Sequence, residues 1–202
     1  MKQNIASLRE RQTASTREEI LDIAMKILSE GPEGNFSHES IATAAGMGAR
    51  TVYRHFPDRA SLLEALWHRL REATNTRFPS REEDILPLAR TLFREFDAHE
   101  SLVRAVLTSP AGTEVRDRGG IEGRPAFAKS LATALADLPA RERTRITAAF
   151  VAVYSAPFWQ LLRDRGNLSG LEAQEAVAWT LTALLNAVRT NPAPAPKKLK
   201  KK

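Results

Sequence analysis

The sequence predicts an all-α protein, with a unit of short helices in its N-terminal third and longer helices after it. Three observations carry this. Apolar residues recur at three- and four-residue spacing along nearly all of the 202 residues, with no sustained alternation of apolar and polar positions. Hydroxyl or carboxylate residues stand just ahead of most of these stretches, where a helix start needs a side-chain acceptor. Glycine or proline closes several of them. Hydrophobic residues make up 43% and charged residues 27%, a balance that lets a globular chain bury a core.

The first helix is expected to open at Thr16. Thr16-Arg17-Glu18-Glu19 places a carboxylate three residues after a hydroxyl cap, and Ile20, Ala24, Ile27 and Leu28 then form one stripe. Gly31, Pro32 and Gly34 end it. Ser37 caps a short second helix with Ile41, Ala42 and Ala45 inward, and Gly46 is placed to close it in a left-handed turn. Ala49 to His55 reads as a third short helix, stopped by Phe56-Pro57. Asp58 caps a fourth, whose buried side is Leu62, Leu63, Leu66, Trp67 and Leu70. Ser80 and Glu83 predict another capping box ahead of Ile85, Leu88, Ala89, Leu92, Phe93 and Phe96, with Pro87 in the first turn. A short helix from Glu100 to Leu107 follows. The stretch from Ser109 to Gly123 holds Pro110, Gly112, Gly119, Gly120 and Gly123 and reads as loop. Pro125 is suited to open a helix to Ala136, and Pro139 one to Arg165, with a kink at Pro157. Ser169 and Glu172 box the last helix, to Arg189. The Pro/Ala/Lys composition of 191–202 is too poor in apolar residues to fold.

Composition excludes several chemistries. With no cysteine there is no disulfide, thiolate zinc site or cysteine nucleophile, which suits a reducing cytoplasm. His38, His55, His68 and His99 lack metal-ligand spacing with carboxylates, and no phosphate-cradling glycine loop or dinucleotide fingerprint is present. No enzymatic activity, metal or cofactor is therefore expected. Met1-Lys2-Gln3-Asn4 is followed by no apolar leader segment. The longest stretch without a charged residue, Ile146 to Leu162, falls short of the roughly 20 apolar residues of a membrane span. No membrane association is expected. The net charge of +6 is not by itself a nucleic-acid signal: Lys197, Lys198, Lys200, Lys201 and Lys202 supply five of the six charges. Residues 1–72 hold ten basic and ten acidic residues, so only their placement is informative.

Placement points to residues 37–56. They read as helix, tight glycine turn, helix, and both helices are too short to be stable alone. Ile41, Ala42, Ala45, Met47, Val52 and Phe56 are the packing residues. What is left outward on the second helix is Arg50, Thr51, Tyr53, Arg54 and His55. An exposed helical face of guanidiniums, hydroxyls and a phenol suits a DNA major groove, where arginine pairs bidentately with guanine.

Over residues 16–70 the chain resembles the TetR family of bacterial transcriptional regulators. Ile41-Ala42, Ala45-Gly46, Thr51-Val52-Tyr53-Arg54-His55-Phe56, Asp58-Arg59 and Leu62-Leu63 carry the resemblance. It implies a three-helix DNA-binding unit fused to a helical domain that dimerises and binds a small effector. On that reading 1–15 is a flexible basic arm, 16–58 the helix-turn-helix domain, and 59–190 the effector-binding and dimerisation domain, with helix 59–76 as connector and 191–202 a disordered tail. The resemblance makes Thr51, Tyr53 and His55 DNA contacts, Arg50 and Arg54 tuners of sequence preference, and Arg59 a phosphate contact. Ser37 and His38 start a helix whose N-terminus suits a phosphate. Glu39 departs from the family, which often has a basic residue there. It is expected to weaken backbone affinity or face away from DNA, and Arg9, Arg11 and Arg17 to compensate.

In the last helix Val177, Leu181, Leu184 and Val188 form one apolar stripe, and Ala176, Thr180, Ala183 and Ala187 a second of small residues. A helix apolar on two sides is buried on two sides. The second stripe is expected to face another copy of the chain in a symmetric homodimer that reads an inverted repeat of double-stranded DNA. Trp67, Phe93, Phe96, Val103 and Phe127 are expected to line an effector pocket together with Phe150, Tyr154, Phe158 and Trp159, suited to a small, mostly apolar ligand. The expected function is a repressor released from its operator by that effector. The alternatives are a helical protein-interaction adaptor and a DNA-binding activator that needs a co-ligand.

Overall fold

In the computed structural model, residues 8–30 and 36–190 are described; the side chains of Leu8 and Arg9 are not. The expected arm over 1–7, the Gly31-Pro32-Gly34 stop and the lysine tail lie outside the described residues. Within them the chain is helical with no strand. In order, the helices are α1 (Leu8–Ser29), α2 (His38–Ala44), α3 (Ala49–His55) and α4 (Arg59–Ala73), then a 3₁₀ turn (Glu82–Asp84), α5 (Ile85–Ala98), α6 (Glu100–Thr108), α7 (Pro110–Ser130), α8 (Ala140–Val153), α9 (Ala156–Asp164) and α10 (Gly170–Thr190). No described helix is long and apolar enough to cross a membrane.

The helices gather into two compact units. The first holds the described residues up to Thr74 together with His99–Gly119; the second holds Asn75–Ala98 and the chain from Gly120 onward. In the first, α1 packs on α2, α4 and α6, and α2 on α3. Its core is Ile20, Ala24 and Leu28 from α1 with Ile41, Val52, Phe56, Leu62 and Leu66, all essentially closed to solvent. In the second, α10 packs along α5 and touches α8 and α9. Val177 and Leu181 of α10 are buried there, as expected, while the inner face is completed by Leu185 rather than Leu184.

The caps form largely as the sequence requires. Ser37 and Ser40 make a reciprocal box at α2, and Asp58 and Ser61 one at α4. Gly46 sits at φ +62°. Ser169 and Glu172 close on one another at the start of α10. At the 3₁₀ turn the carboxylate is Asp84 rather than Glu83, accepting from the Ser80 hydroxyl and the Arg81 N–H at 2.9 and 3.0 Å.

Three expectations are corrected. The first helix opens at least eight residues before Thr16, so the expected arm is helical from Leu8. The Thr16 hydroxyl donates to the Gln12 carbonyl at 3.0 Å, one turn back, a use of threonine inside a helix that mimics a cap signal in sequence. The stretch expected as loop is α7, and Pro125 lies inside that helix instead of opening one. Two of its glycines answer a packing need: a Cβ on Gly119 would come within 2.6 Å of the Trp67 ring, and one on Gly123 within 2.9 Å of Phe78. Last, the helix expected from Pro139 to Arg165 is broken in two. α8 ends at Val153, and Ser155 caps α9 with its hydroxyl accepting from Phe158 N at 3.3 Å, so Pro157 sits harmlessly in a first turn.

The neighbours Gly119 and Gly120 separate packing from propensity. Gly119→Ala is expected to destabilise by about 1–3 kcal/mol through overpacking against Trp67. A Cβ on Gly120 meets nothing within 4 Å, so Gly120→Ala is expected to stabilise by about 1 kcal/mol from helix propensity. Denaturant melts of the two variants check both signs.

Candidate DNA-binding surface

The surface is built from α2, α3 and the start of α4. Both α2 and α3 have seven residues, so their geometry is set by what they pack against. Ile41 and Ala42 bury one face of α2, and Val52 with Phe56 buries one of α3. A polar bond joins them. His38, only 6% exposed, donates from Nε2 to the Phe56 carbonyl at 2.9 Å; since a carbonyl only accepts, that nitrogen carries the hydrogen. The His38 ring also lies flat against Tyr53, with centroids 4.4 Å apart and planes 4° from parallel. His38, expected on the DNA face through its helix N-terminus, is thus an interior residue by its side chain.

Arg50, Tyr53 and Arg54 stand at i, i+3 and i+4 of α3, one face of the helix, and all three are exposed. Arg50 and Arg54 form no ion pair among the described residues, which leaves two guanidiniums presented from the outward face. Thr51 is half-buried beside them. Tyr53 is held from α2: its hydroxyl donates to Glu39 Oε1 at 2.9 Å. Its own backbone N–H and then the Tyr53 hydroxyl hold the Glu39 carboxyl below the usual carboxylate range, and the same bond raises Tyr53. Ser37 is occupied as the cap of α2.

His55 turns partly inward. Its Nε2 is buried with no hydrogen-bond partner. Burial first, then the nearby Arg54 and Arg17 charges, push its pKa below the ordinary value. Arg17 is not part of an arm: it belongs to α1 and sits 4.9 Å over the Phe56 ring, while Arg11 is in the same helix and Arg9 is placed only by its backbone.

Arg59, expected to hold a phosphate, is engaged inside the unit. Its Nε and Nη2 donate to the two oxygens of Glu114 at 2.9 and 2.7 Å, and Nη1 donates to the Phe36 carbonyl at 3.0 Å. The Arg59 bond keeps the Glu114 carboxyl below its usual range. Glu114 escaped the sequence reading because it lies 55 residues away in a stretch taken for loop.

The residues expected to line an effector pocket divide between the units. Trp67 and Val103 belong to the first, and both are buried there. In the second, Phe96 meets Trp159 edge-on at 5.9 Å, and Phe127 meets Tyr154 at 5.1 Å and Phe150 at 6.4 Å. Phe93 tilts against Phe96 at 6.0 Å, and Phe158 is half-buried. Asp97 accepts from Trp159 Nε1 at 3.0 Å, and the Tyr154 hydroxyl donates to the Arg77 carbonyl at 2.6 Å. These rings pack on one another. The second unit also has, among its described residues, a cleft of about 760 Å³ lined by Pro125, Ala128, Ala132, Ala136 and Ala148 with Arg124 and Arg143. On α10, Ala183 and Ala187 are exposed and Ala176 and Thr180 half-buried. Trp179 continues that stripe with 74% of its surface exposed, a residue the small-residue pattern concealed.

Residues 20–66 match the family of bacterial regulatory proteins of the tetR type. The chain is 34% identical over 92 residues to the HTH-type transcriptional repressor LfrR of Mycolicibacterium smegmatis, a match that takes in 46% of this chain and spans about half of that repressor, 48%. It is 28% identical over 150 residues to an uncharacterized HTH-type transcriptional regulator of Mycobacterium tuberculosis, covering 71% of this chain and 70% of that one. In fold it is similar to NalD, the secondary repressor of the MexAB-OprM multidrug efflux pump in Pseudomonas aeruginosa, with TM-score 0.59 and 19% identity over 85% of this chain and 96% of that one.

The state of His55 gives a pH prediction. Its folded pKa lies below the ordinary 6.5, so the folded protein takes up this proton less readily than the unfolded chain. Its contribution to stability is whole above that value and is lost as the pH falls below it. The thermal midpoint is expected to drop more between about pH 7.5 and about pH 5.5 in the parent than in His55→Gln, because the lowered carboxylates titrate below that window.

Proposed function

We propose that this chain is a sequence-specific DNA-binding repressor of the TetR type, not an enzyme, acting in the cytoplasm; the match of residues 20–66 to the tetR-type regulatory family supports this. The observation that carries the reading is the α3 face: Arg50 and Arg54 are exposed, without ion pairs among the described residues, on a helix anchored from behind by Val52, Phe56 and His38. Two guanidiniums on one rigid face suit guanine edges in a major groove. Thr51 and Tyr53 flank them as further contacts. Ser37 supports a phosphate through the N-terminus of α2, His55 backs the face from its partly buried position, and Arg59 stands exposed beside it in its pair with Glu114. Two relatives carrying the word repressor favour that sign of regulation.

The chain works as a homodimer on an inverted repeat. Support comes from α10, where Trp179 is 74% exposed beside Ala176, Thr180, Ala183 and Ala187. Large apolar side chains grouped with small ones on one helix are costly in water and favour a partner. Small, mostly apolar effectors find room in the alanine-lined cleft of about 760 Å³, where Arg124 and Arg143 suit a ligand with one acidic end.

Selection of bound sequences from a random DNA pool at near-physiological salt tests the central reading. An enriched inverted repeat is expected; folded protein that enriches nothing contradicts it. Arg54→Ala is expected to cost about 1–3 kcal/mol on the selected site and to relax preference at one position. Equal loss on random DNA would remove Arg54 as a base-reading residue. Light scattering at micromolar concentration is expected to give a mass near twice 22.4 kDa, and Trp179→Glu to give a monomer with weakened operator binding.

A further inference from the structure

Tyr53 stands on the outward side of α3 between Arg50 and Arg54, yet its hydroxyl is already engaged within the protein. A phenol has one hydrogen to donate. Here that hydrogen goes to Glu39 Oε1 at 2.9 Å, and the ring is stacked flat on buried His38, which holds the phenol oxygen beside that carboxylate. Glu39 is itself exposed on α2, and its carboxylate puts a negative charge on the same surface as Tyr53. A phosphate oxygen that approaches Tyr53 meets an oxygen lone pair instead of a donor, and meets the Glu39 charge behind it.

We propose that Glu39 limits the protein's affinity for DNA by taking the single donor of Tyr53 for itself, so that DNA must displace the carboxylate before the phenol bonds a phosphate. This rests on the reading of the α3 face as the DNA-binding surface. The carboxylate acts in two separable ways, through its charge and through the bond to Tyr53. Glu39→Gln removes the charge and leaves a carbonyl oxygen that still accepts from Tyr53. Glu39→Ala removes both. The side chain is on the surface and packs into no core, so both variants are expected to fold, which far-ultraviolet circular dichroism checks.

The experiment is a double-mutant cycle on positions 39 and 53, read as affinity for the selected operator and for a random duplex of equal length. Glu39→Ala is expected to tighten binding to both duplexes by about tenfold, and Glu39→Gln by less, since it frees no donor. In the Tyr53→Phe background the two substitutions at position 39 are expected to give the same gain, because no hydroxyl is left to release. Equal gains from Ala and Gln in the parent would assign the whole effect to charge and overturn the proposal. Weaker binding by Glu39→Ala would overturn it too, making Glu39 a residue that orients Tyr53 in favour of DNA. Parent protein that binds neither duplex contradicts the regulator reading itself, and the proposal falls with it.

Discussion

Two helices of seven residues cannot hold themselves up, and the candidate DNA-binding surface depends on how they are held. A first turn costs several fixed dihedrals for one hydrogen bond, and two turns do not recover that loss in water. α2 and α3 therefore take their geometry from outside: from α1, on which α2 packs, from the buried side chains of Ile41, Val52 and Phe56, and from the His38 bond to the Phe56 carbonyl just past the end of α3. That bond ties the beginning of one short helix to the end of the other.

Internal bonds also govern the polar residues around it. Of the side chains that resemblance assigns to DNA, Tyr53 and Arg59 each have a carboxylate partner within the protein, Glu39 and Glu114. His38 and His55 are turned inward. Arg50 and Arg54 keep their donors outward, without ion pairs among the described residues. The face is therefore narrower in its free chemistry than its sequence suggests, and more rigid. Rigidity favours discrimination between bases, because fewer rotamers are frozen on binding.

Much of this was legible in the sequence, for local reasons. Cap residues and glycine turns act within four residues of where they stand, so Ser37, Gly46, Asp58 and the Ser169–Glu172 box could be read directly. The failures share a cause: local signals with distant explanations. Gly119 looks like a loop residue until Trp67 is seen against it, and Thr16 looks like a cap until its hydroxyl is seen bonded one turn back. The Arg59–Glu114 pair bridges 55 residues, and no spacing rule reaches that far. Phe96, Phe127, Phe150, Tyr154 and Trp159, expected around a pocket, are in contact as rings, a pairing across distant helices that no local spacing specifies.

The three tryptophans occupy unlike surroundings. Trp67 and Trp159 are enclosed, at 6% and 0% exposure, while Trp179 stands in solvent at 74%. An indole in water emits further to the red and is quenched by dissolved ions; an enclosed one is not. The chain thus contains its own optical label on the very helix argued to meet a second copy, with two interior indoles as a fixed background. Association and dissociation become visible in the colour of the protein's own light, without any dye attached to it.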